Sequence, residues 1–304
     1  MHKKATRDAW QGRCDSQEDK AYFRYHQMIT LNEEVSEQGI GIIGFCCDEG
    51  VRRNNGRVGA SEGPIAIRKQ LASIPWRKDT QQVVDLGDVY CEGNALEAAQ
   101  QQLGNYVAQI VKNGTAIVLG GGHETLYGQY LGVREAVGPH KKIGLLNIDA
   151  HFDMREYDEQ SSSGTMFKQI LDADKNASYF VAGIQPFGNT TALFDRADAY
   201  GVRYFLEDQL DATCDEALEQ FIEQQDVLVV TLCMDVLSAA VAPGVSAPSP
   251  FGLDAKTVRQ FVRKMTASTK ATSFSICEVN PRLDVDNRTA KLGAYFVNEV
   301  IYQK

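Results

Sequence analysis

The stretch LLNIDAHFDMRE at 145–156 sets Asp149, His151 and Asp153 two residues apart, at the end of an apolar run that includes Ile143, Leu145, Leu146 and Ile148. In an extended segment alternate side chains point the same way, so at a strand's end these three would converge on one small volume. Carboxylates crowded around an imidazole repel one another and lose hydration. A bound cation offsets that cost. The chain has only five histidines, and a second one, His123, follows the glycines of GGGHE at 120–124. Taken alone, His123 reads equally as a cap on the helix expected in ETLYGQYLGVREAVG. Cys233 and Asp235, again two apart, end VLVVTLCMD, and Glu278 ends TSFSICE. His2, His26 and His140 have no comparable setting and read as surface or packing residues.

Two imidazoles and at least three carboxylates are more donors than one tetrahedral zinc ion uses. They suit two divalent ions of higher coordination number that share bridging carboxylates. An oxygen-rich, nitrogen-poor set favours Mn2+ over softer metals. Two such ions held about 3.5–4 Å apart make a shared water nucleophilic near neutral pH. The chemistry expected is hydrolysis.

Residues scattered this widely need a frame that gathers them. Short β-type runs occur at 39–47, 82–87, 115–120, 142–148, 178–184, 202–205, 227–234 and 272–279. Helix-period stretches lie between most of them, as at 63–74, 94–112 and 253–270, and another closes the chain at 287–304. Strands alternating with helices predict a three-layer α/β fold, with a mostly parallel sheet of about eight strands and helices on both faces. Runs without polar alternation fit strands buried on both sides. In such sheets functional side chains collect beyond the carboxyl ends of the strands, which is where the candidate residues stand. The organisation expected is a polar N-terminal extension over 1–38, packed on a single α/β domain over 39–304.

The bulk properties narrow the function classes. A net charge of −9 argues against non-specific nucleic-acid binding, which needs clustered Lys and Arg. The one dense basic patch, RRNNGR at 52–57, reads on charge alone as a solvated loop. No apolar run approaches the roughly 18 residues of a membrane span, and the polar N-terminus lacks the apolar core of a signal peptide. Seven cysteines without a CxxC pair look like reduced thiols of a cytoplasmic protein. The adjacent Cys46 and Cys47 read as strand packing.

Taken together, the motifs resemble the arginase/agmatinase family of ureohydrolases, whose members carry a binuclear manganese site. The similarity runs from about residue 40 to the C-terminus, through GGGHE (120–124), NIDAHFDMR (147–155), CMD (233–235) and EVNP (278–281). NGRVGASEGPIAIR (55–68) is similar to the family's substrate-side loop and first helix. The resemblance implies an arginase-like fold, a homo-oligomer and two Mn2+ per subunit. By position it implies metal ligation by His123, Asp149, His151, Asp153 and Asp235, with Asp149 bridging the ions. Glu278 would face the cationic amidine or guanidine of the substrate, and Asp153 would pass a proton to the departing nitrogen.

Within the family the chain most resembles members that hydrolyse N-formimidoyl-L-glutamate to L-glutamate and formamide in histidine degradation. GGGHE stands where arginases have Asp before the His and Ser after it. Arg155 stands where they place Asn, and SSSGTMF (161–167) lacks their proton-shuttling His. A guanidinium pairs bidentately with a carboxylate, so Arg155 suits a substrate carrying two of them and would repel a cationic tail. The plainer reading of Arg155 is an ion pair with Glu156, Asp158 or Glu159. Arg57, with Arg52 and Arg53, is a candidate for the second carboxylate, and Ser163 or Ser162 for a hydrogen bond to substrate. Alternatives are a ureohydrolase acting on a guanidino compound, or a catalytically silent relative.

Cys233 departs from the pattern, because most of the family carries Asp there as a bridging ligand. It is either an inert strand thiol or a thiolate ligand, since a nearby dication lowers a thiol's pKa. Thiolate ligation would make the site oxidation-sensitive.

Overall fold

Every run of β-type residues forms a strand. In the computed structural model, which describes residues 1–77 and 82–304, the strands are β1 (His2–Lys3), β2 (Thr30–Leu31), β3 (Ile40–Cys46), β4 (Val83–Tyr90), β5 (Thr115–Leu119), β6 (Ile143–Ile148), β7 (Ala177–Ile184), β8 (Arg203–Leu206), β9 (Val227–Cys233) and β10 (Ala271–Cys277). They make one sheet in the order β1-β4-β3-β5-β10-β9-β6-β7-β8, with β2 alongside β4. All pairings are parallel except β1 with β4. β3, β6 and β9 are buried along their whole length, which is why they lack polar alternation.

The sheet has ten strands rather than about eight. The two extra ones are dipeptides at the edge, too short to leave a periodic signal. They belong to the polar N-terminal stretch, where the buried Trp10 also donates its indole N–H to Asp85 over 2.7 Å. Asp85 in turn receives two hydrogen bonds of 2.9 Å from Arg68.

The helices are α1 (Tyr25–Met28), α2 (Glu49–Arg53), α3 (Gly63–Leu71), α4 (Leu96–Val111), α5 (Thr125–Val137), α6 (Met166–Ala173), α7 (Thr191–Ala199), α8 (Ala212–Glu223), α9 (Ala255–Ala267) and α10 (Arg288–Gln303). One core lies between the sheet and α3, α8, α9 and α10, through residues such as Ile67, Phe221, Phe261 and Val297. The other lies beneath α4 to α7, through Leu103, Leu126, Phe167 and Leu193. Side-chain caps fix two helix starts: Asp211 accepts from Thr213 and Cys214, and Asp254 from Lys256 and Thr257. Each satisfies amides that a helix N-terminus leaves free.

The connectivity positions the site. β5 and β6 are separated by the later strands β9 and β10, which insert between them. The carboxyl ends of β5, β10, β9 and β6 are therefore neighbours at the centre of the sheet, at a reversal of strand order where α/β sheets hold ligands.

Candidate metal centre

The glycine turn after β5 brings His123 into place. A side chain at Gly121 would put its Cβ 1.8 Å from the Cys47 carbonyl oxygen, so only glycine lets this turn lie against the end of β3. The amide of Gly120 donates to Ile276 O over 2.8 Å, and that of Glu278 to Gly121 O over 2.7 Å. The ends of β5 and β10 are thus stitched together. His123 N then donates to Glu278 Oε1 over 3.1 Å.

Asp149, His151 and Asp153 converge on the cluster, while the alternating residues Ala150, Phe152 and Met154 are fully buried. The segment is not a simple continuation of the strand, as the spacing suggested. β6 stops at Ile148, and Asp153 adopts φ 50°, in the left-handed region. Glu278 does the same at φ 68°. Such backbone costs about 1–3 kcal/mol for a non-glycine residue and clusters at functional sites.

The convergence is tight. His123 Nδ1 lies 3.0 Å from Asp149 Oδ2 and 2.9 Å from Asp153 Oδ2. His151 Nδ1 lies 3.3 Å from Asp235 Oδ2 and 3.7 Å from Asp149 Oδ1. Among the described residues, two groups have donor atoms all within 4.8 Å of one another: His123, Asp149 and Cys233, and Asp149, His151 and Asp235. Asp149 belongs to both.

The surroundings hold these groups in place. Asn147 donates to Asp149 Oδ2 over 3.1 Å, and the His151 amide to Asp149 Oδ1 over 2.8 Å. His123 Nε2 lies 3.0 Å from Thr231 Oγ1, which accepts from Ser275 Oγ over 2.8 Å. That contact leaves Nδ1 facing the cluster, the arrangement by which outer partners orient a metal-binding imidazole. Asn189 bonds to Ala150 O, Gln185 O and the Phe152 amide, pinning the loop after β6.

The electrostatics are those of a site short of positive charge. Burial and the Asp149 charge push Asp153 up to about 6. Burial, with Asp235 and Glu124, raises Glu278 well above the usual carboxylate range, and burial, with Asp149 and Asp235, raises Cys233 well above the ordinary thiol range. Burial works against ionisation of Asp149 too, yet His123 and His151 hold its carboxyl below the usual range. Burial also opposes protonation of both histidines, but the carboxylates beside them outweigh it and raise each well above the ordinary value. Asp235 Oδ1 and Glu278 Oε2 are buried with no hydrogen-bond partner among the described residues. An unpaired buried acceptor is costly, and a divalent cation beside these groups reverses the cost. The residues fit a metal.

A cleft of about 320 Å³ opens over the cluster, lined by His123, His151, Asp153, Cys233, Asp235 and Glu278 at its base. Arg155, Ser163 and Arg57 line its upper part. Arg155 is exposed and makes no ion pair among the described residues, for Glu156 pairs instead with Lys168 and Arg196. Ser163 Oγ accepts from Asn54 over 3.3 Å. The Arg57 guanidinium donates to Ser246 O over 2.8 Å and Val245 O over 2.9 Å.

Arg52 and Arg53 do not reach the cleft. Both pair with Glu49, at 2.6 and 2.9 Å, and Arg53 also pairs with Glu97 at 2.6 Å. Ser162 is turned to the Gly164 amide. Asn54, Asn55, Asn189 and Ser246 line the cleft and were not foreseen. Asn147 could have been, since it continues the period of two back from Asp149.

A three-layer α/β fold with a histidine- and carboxylate-rich cleft at the centre of a mostly parallel sheet defines the class: an arginase-like α/β frame with candidate ligands for divalent ions. The chain belongs to the arginase family, whose model matches residues 38–302. It is 50% identical over 313 residues to formimidoylglutamase of Lysinibacillus sphaericus (strain C3-41), covering 99% of this chain and 97% of that protein. It is also 50% identical to formimidoylglutamase of Geobacillus sp. (strain WCH70), covering 99% and 96%. The fold matches the crystal structure of formimidoylglutamase from Bacillus subtilis with a TM-score of 0.85, at 21% identity over 95% of this chain and 94% of that one. A second match is Trypanosoma cruzi formiminoglutamase with Mn2+2, at a TM-score of 0.82 and 22% identity, over 91% and 97%. No helix among the described residues is long and apolar enough to cross a membrane.

Proposed function

We infer that this chain is a metal-dependent hydrolase that converts N-formimidoyl-L-glutamate and water to L-glutamate and formamide, the reaction of linear-amidine hydrolysis in histidine degradation. The observation that carries the reading is a cationic rim over an anionic base. Arg155 makes no ion pair among the described residues and lines the same cleft as His123, His151 and Asp235, which with Asp149 make up the candidate ligand groups. The full-length relatives named formimidoylglutamase support the same substrate.

The group that fits the base is a pair of Mn2+ ions, which His123, Asp149, His151, Asp153 and Asp235 would hold, with Cys233 as a further candidate ligand beside His123 and Asp149. When bound, such a pair supplies Lewis acidity and a water acidic enough to act as a nucleophile near neutral pH. The chain's own groups do the rest. Arg155 and Ser163 take a substrate carboxylate, and Arg57 stands near enough to the cleft to serve the other. Glu278 holds the protonated amidine by charge-assisted hydrogen bonds, through the Oε2 that has no hydrogen-bond partner among the described residues. Asp153 carries the proton to the departing glutamate nitrogen.

A formamide-release assay on N-formimidoyl-L-glutamate, run beside a urea-release assay on arginine, agmatine and 4-guanidinobutyrate, tests the reading. Formamide release with negligible urea is expected; urea release as the main activity refutes it. Arg155→Gln is expected to raise KM for formimidoylglutamate by about 10–100-fold, the loss of roughly 1.5–3 kcal/mol for a hydrogen bond to a charged group, with kcat changed less. An unchanged KM would return Arg155 to the solvated surface. Cys233→Asp is expected to change manganese affinity, measured by calorimetry, because it exchanges a soft ligand for a hard one. Identical affinity, stoichiometry and activity would show the thiol to be inert.

A further inference from the structure

We propose that Cys47 and Cys91 form a reversible disulfide that loosens the turn carrying His123. Neither residue belongs to the cleft described above. β3 and β4 run parallel, with a register shift between Ile42 and Gly44, and end together on the pair Cys46 and Tyr90; Cys47 and Cys91 are the first residues past these strand ends. Adjacent strands lie about 4.8 Å apart, within the roughly 4.4–6.8 Å Cα separation that a disulfide needs. Both side chains are on the same face of the sheet: Cys47 lies in the core beneath α4 and Cys91 packs against it. Both also line a surface cleft of about 490 Å³ beside Glu49 and Gly93.

The two thiols are unequal. Cys47 is 1% exposed, whereas Cys91 is partly open to solvent. The Cys91 thiol beside it and burial push Cys47 far up, while the Cys47 thiol brings Cys91 down. An accessible, more acidic thiol next to a buried partner is the arrangement of an oxidant-sensing pair. With a peroxide as the two-electron oxidant, Cys91 Sγ attacks one oxygen, the O–O bond breaks and one water leaves, giving a sulfenic acid. Cys47 Sγ then attacks the Cys91 sulfur. The S–S bond forms, the S–O bond breaks, and the second water departs with the Cys47 proton. Two thiols are oxidised and one peroxide is reduced.

The consequence follows from what Cys47 touches. Its Sγ donates to Glu124 Oε1 over 3.7 Å, and its carbonyl accepts from the Gly122 amide over 2.9 Å. Glu124 Oε1 also accepts from the Gly50 amide over 2.8 Å. Turning Sγ towards Cys91 withdraws a donor from the fully buried Glu124, next to His123 in sequence. This consequence rests on His123 being a ligand, whereas the disulfide itself does not.

The test uses the full manganese-loaded chain treated with hydrogen peroxide, digested after alkylation and mapped by mass spectrometry. A cross-linked peptide pair holding Cys47 and Cys91, two hydrogens lighter than the free thiols, is expected. Dithiothreitol reverses it, and both Cys91→Ser and Cys91→Ala lack it. Recovery of both as free thiols while the exposed Cys14 is oxidised, or cross-linking of either to another cysteine, overturns the proposal. Manganese affinity of the oxidised chain is expected to fall at least about tenfold, the lower bound for disturbing a ligand's support. Unchanged affinity with the disulfide in place refutes the loosened turn.

Discussion

Replacing Glu278 by Gln lowers kcat/KM by about 10²–10³-fold, the range found when one stabilising group is removed from a preorganised site, and leaves bound manganese unchanged. The side chain keeps its shape, so the Oε1 that accepts from His123 N persists as an amide oxygen. What is lost is the charge at Oε2, a buried position with no hydrogen-bond partner among the described residues. A neutral amide there offers N–H to a cationic amidine that needs an acceptor. Steady-state kinetics beside metal analysis of the same sample check this. Loss of both manganese and turnover would mean that Glu278 supports the metals, and full activity would remove it from the reaction.

Asp149→Asn has the larger effect on the metals. Asp149 is fully buried, meets both histidines and belongs to both donor groups. An amide cannot bridge two cations with two anionic oxygens. The variant is expected to hold at most one manganese ion, against two in the parent, and turnover falls to background. The buried side chain keeps its size, so thermal unfolding of the metal-free forms serves as the control. Unchanged stoichiometry would displace Asp149 from the bridge.

The sequence and the structure part company where backbone direction departs from a regular element. The central strands were legible because seven- and six-residue runs such as Val227–Cys233 and Ile143–Ile148, apolar but for Thr231 and Asn147, are best buried on both faces. Their neighbourhood was not. That His123, Glu278, Cys233 and Asp149 lie at or just past the carboxyl ends of four adjacent strands follows from two late strands inserting between earlier ones, a long-range choice with no local signature. The period of two rightly grouped Asp149, His151 and Asp153. It missed the left-handed turn at Asp153, because an aspartate tolerates that conformation without announcing it.

The support around the ligands was the least visible. Thr231 and Ser275 are ordinary strand residues by composition, and they matter only because β9 and β10 lie side by side beneath His123. Asn189 sits in a loop after β7, and its bonds to Ala150 and Phe152 exist only in the folded chain. The arginines of 52–57 show the converse. One dense patch divides into Arg52 and Arg53, held by Glu49, and Arg57, which faces the cleft. Charge density alone did not separate them.

The most direct test is a crystal soaked in manganese and measured on both sides of the manganese absorption edge. Two anomalous peaks in the cleft, both within coordination distance of Asp149 and divided between His123 and His151, are the result predicted. A cleft without peaks at saturating manganese, or peaks away from these residues, would contradict it.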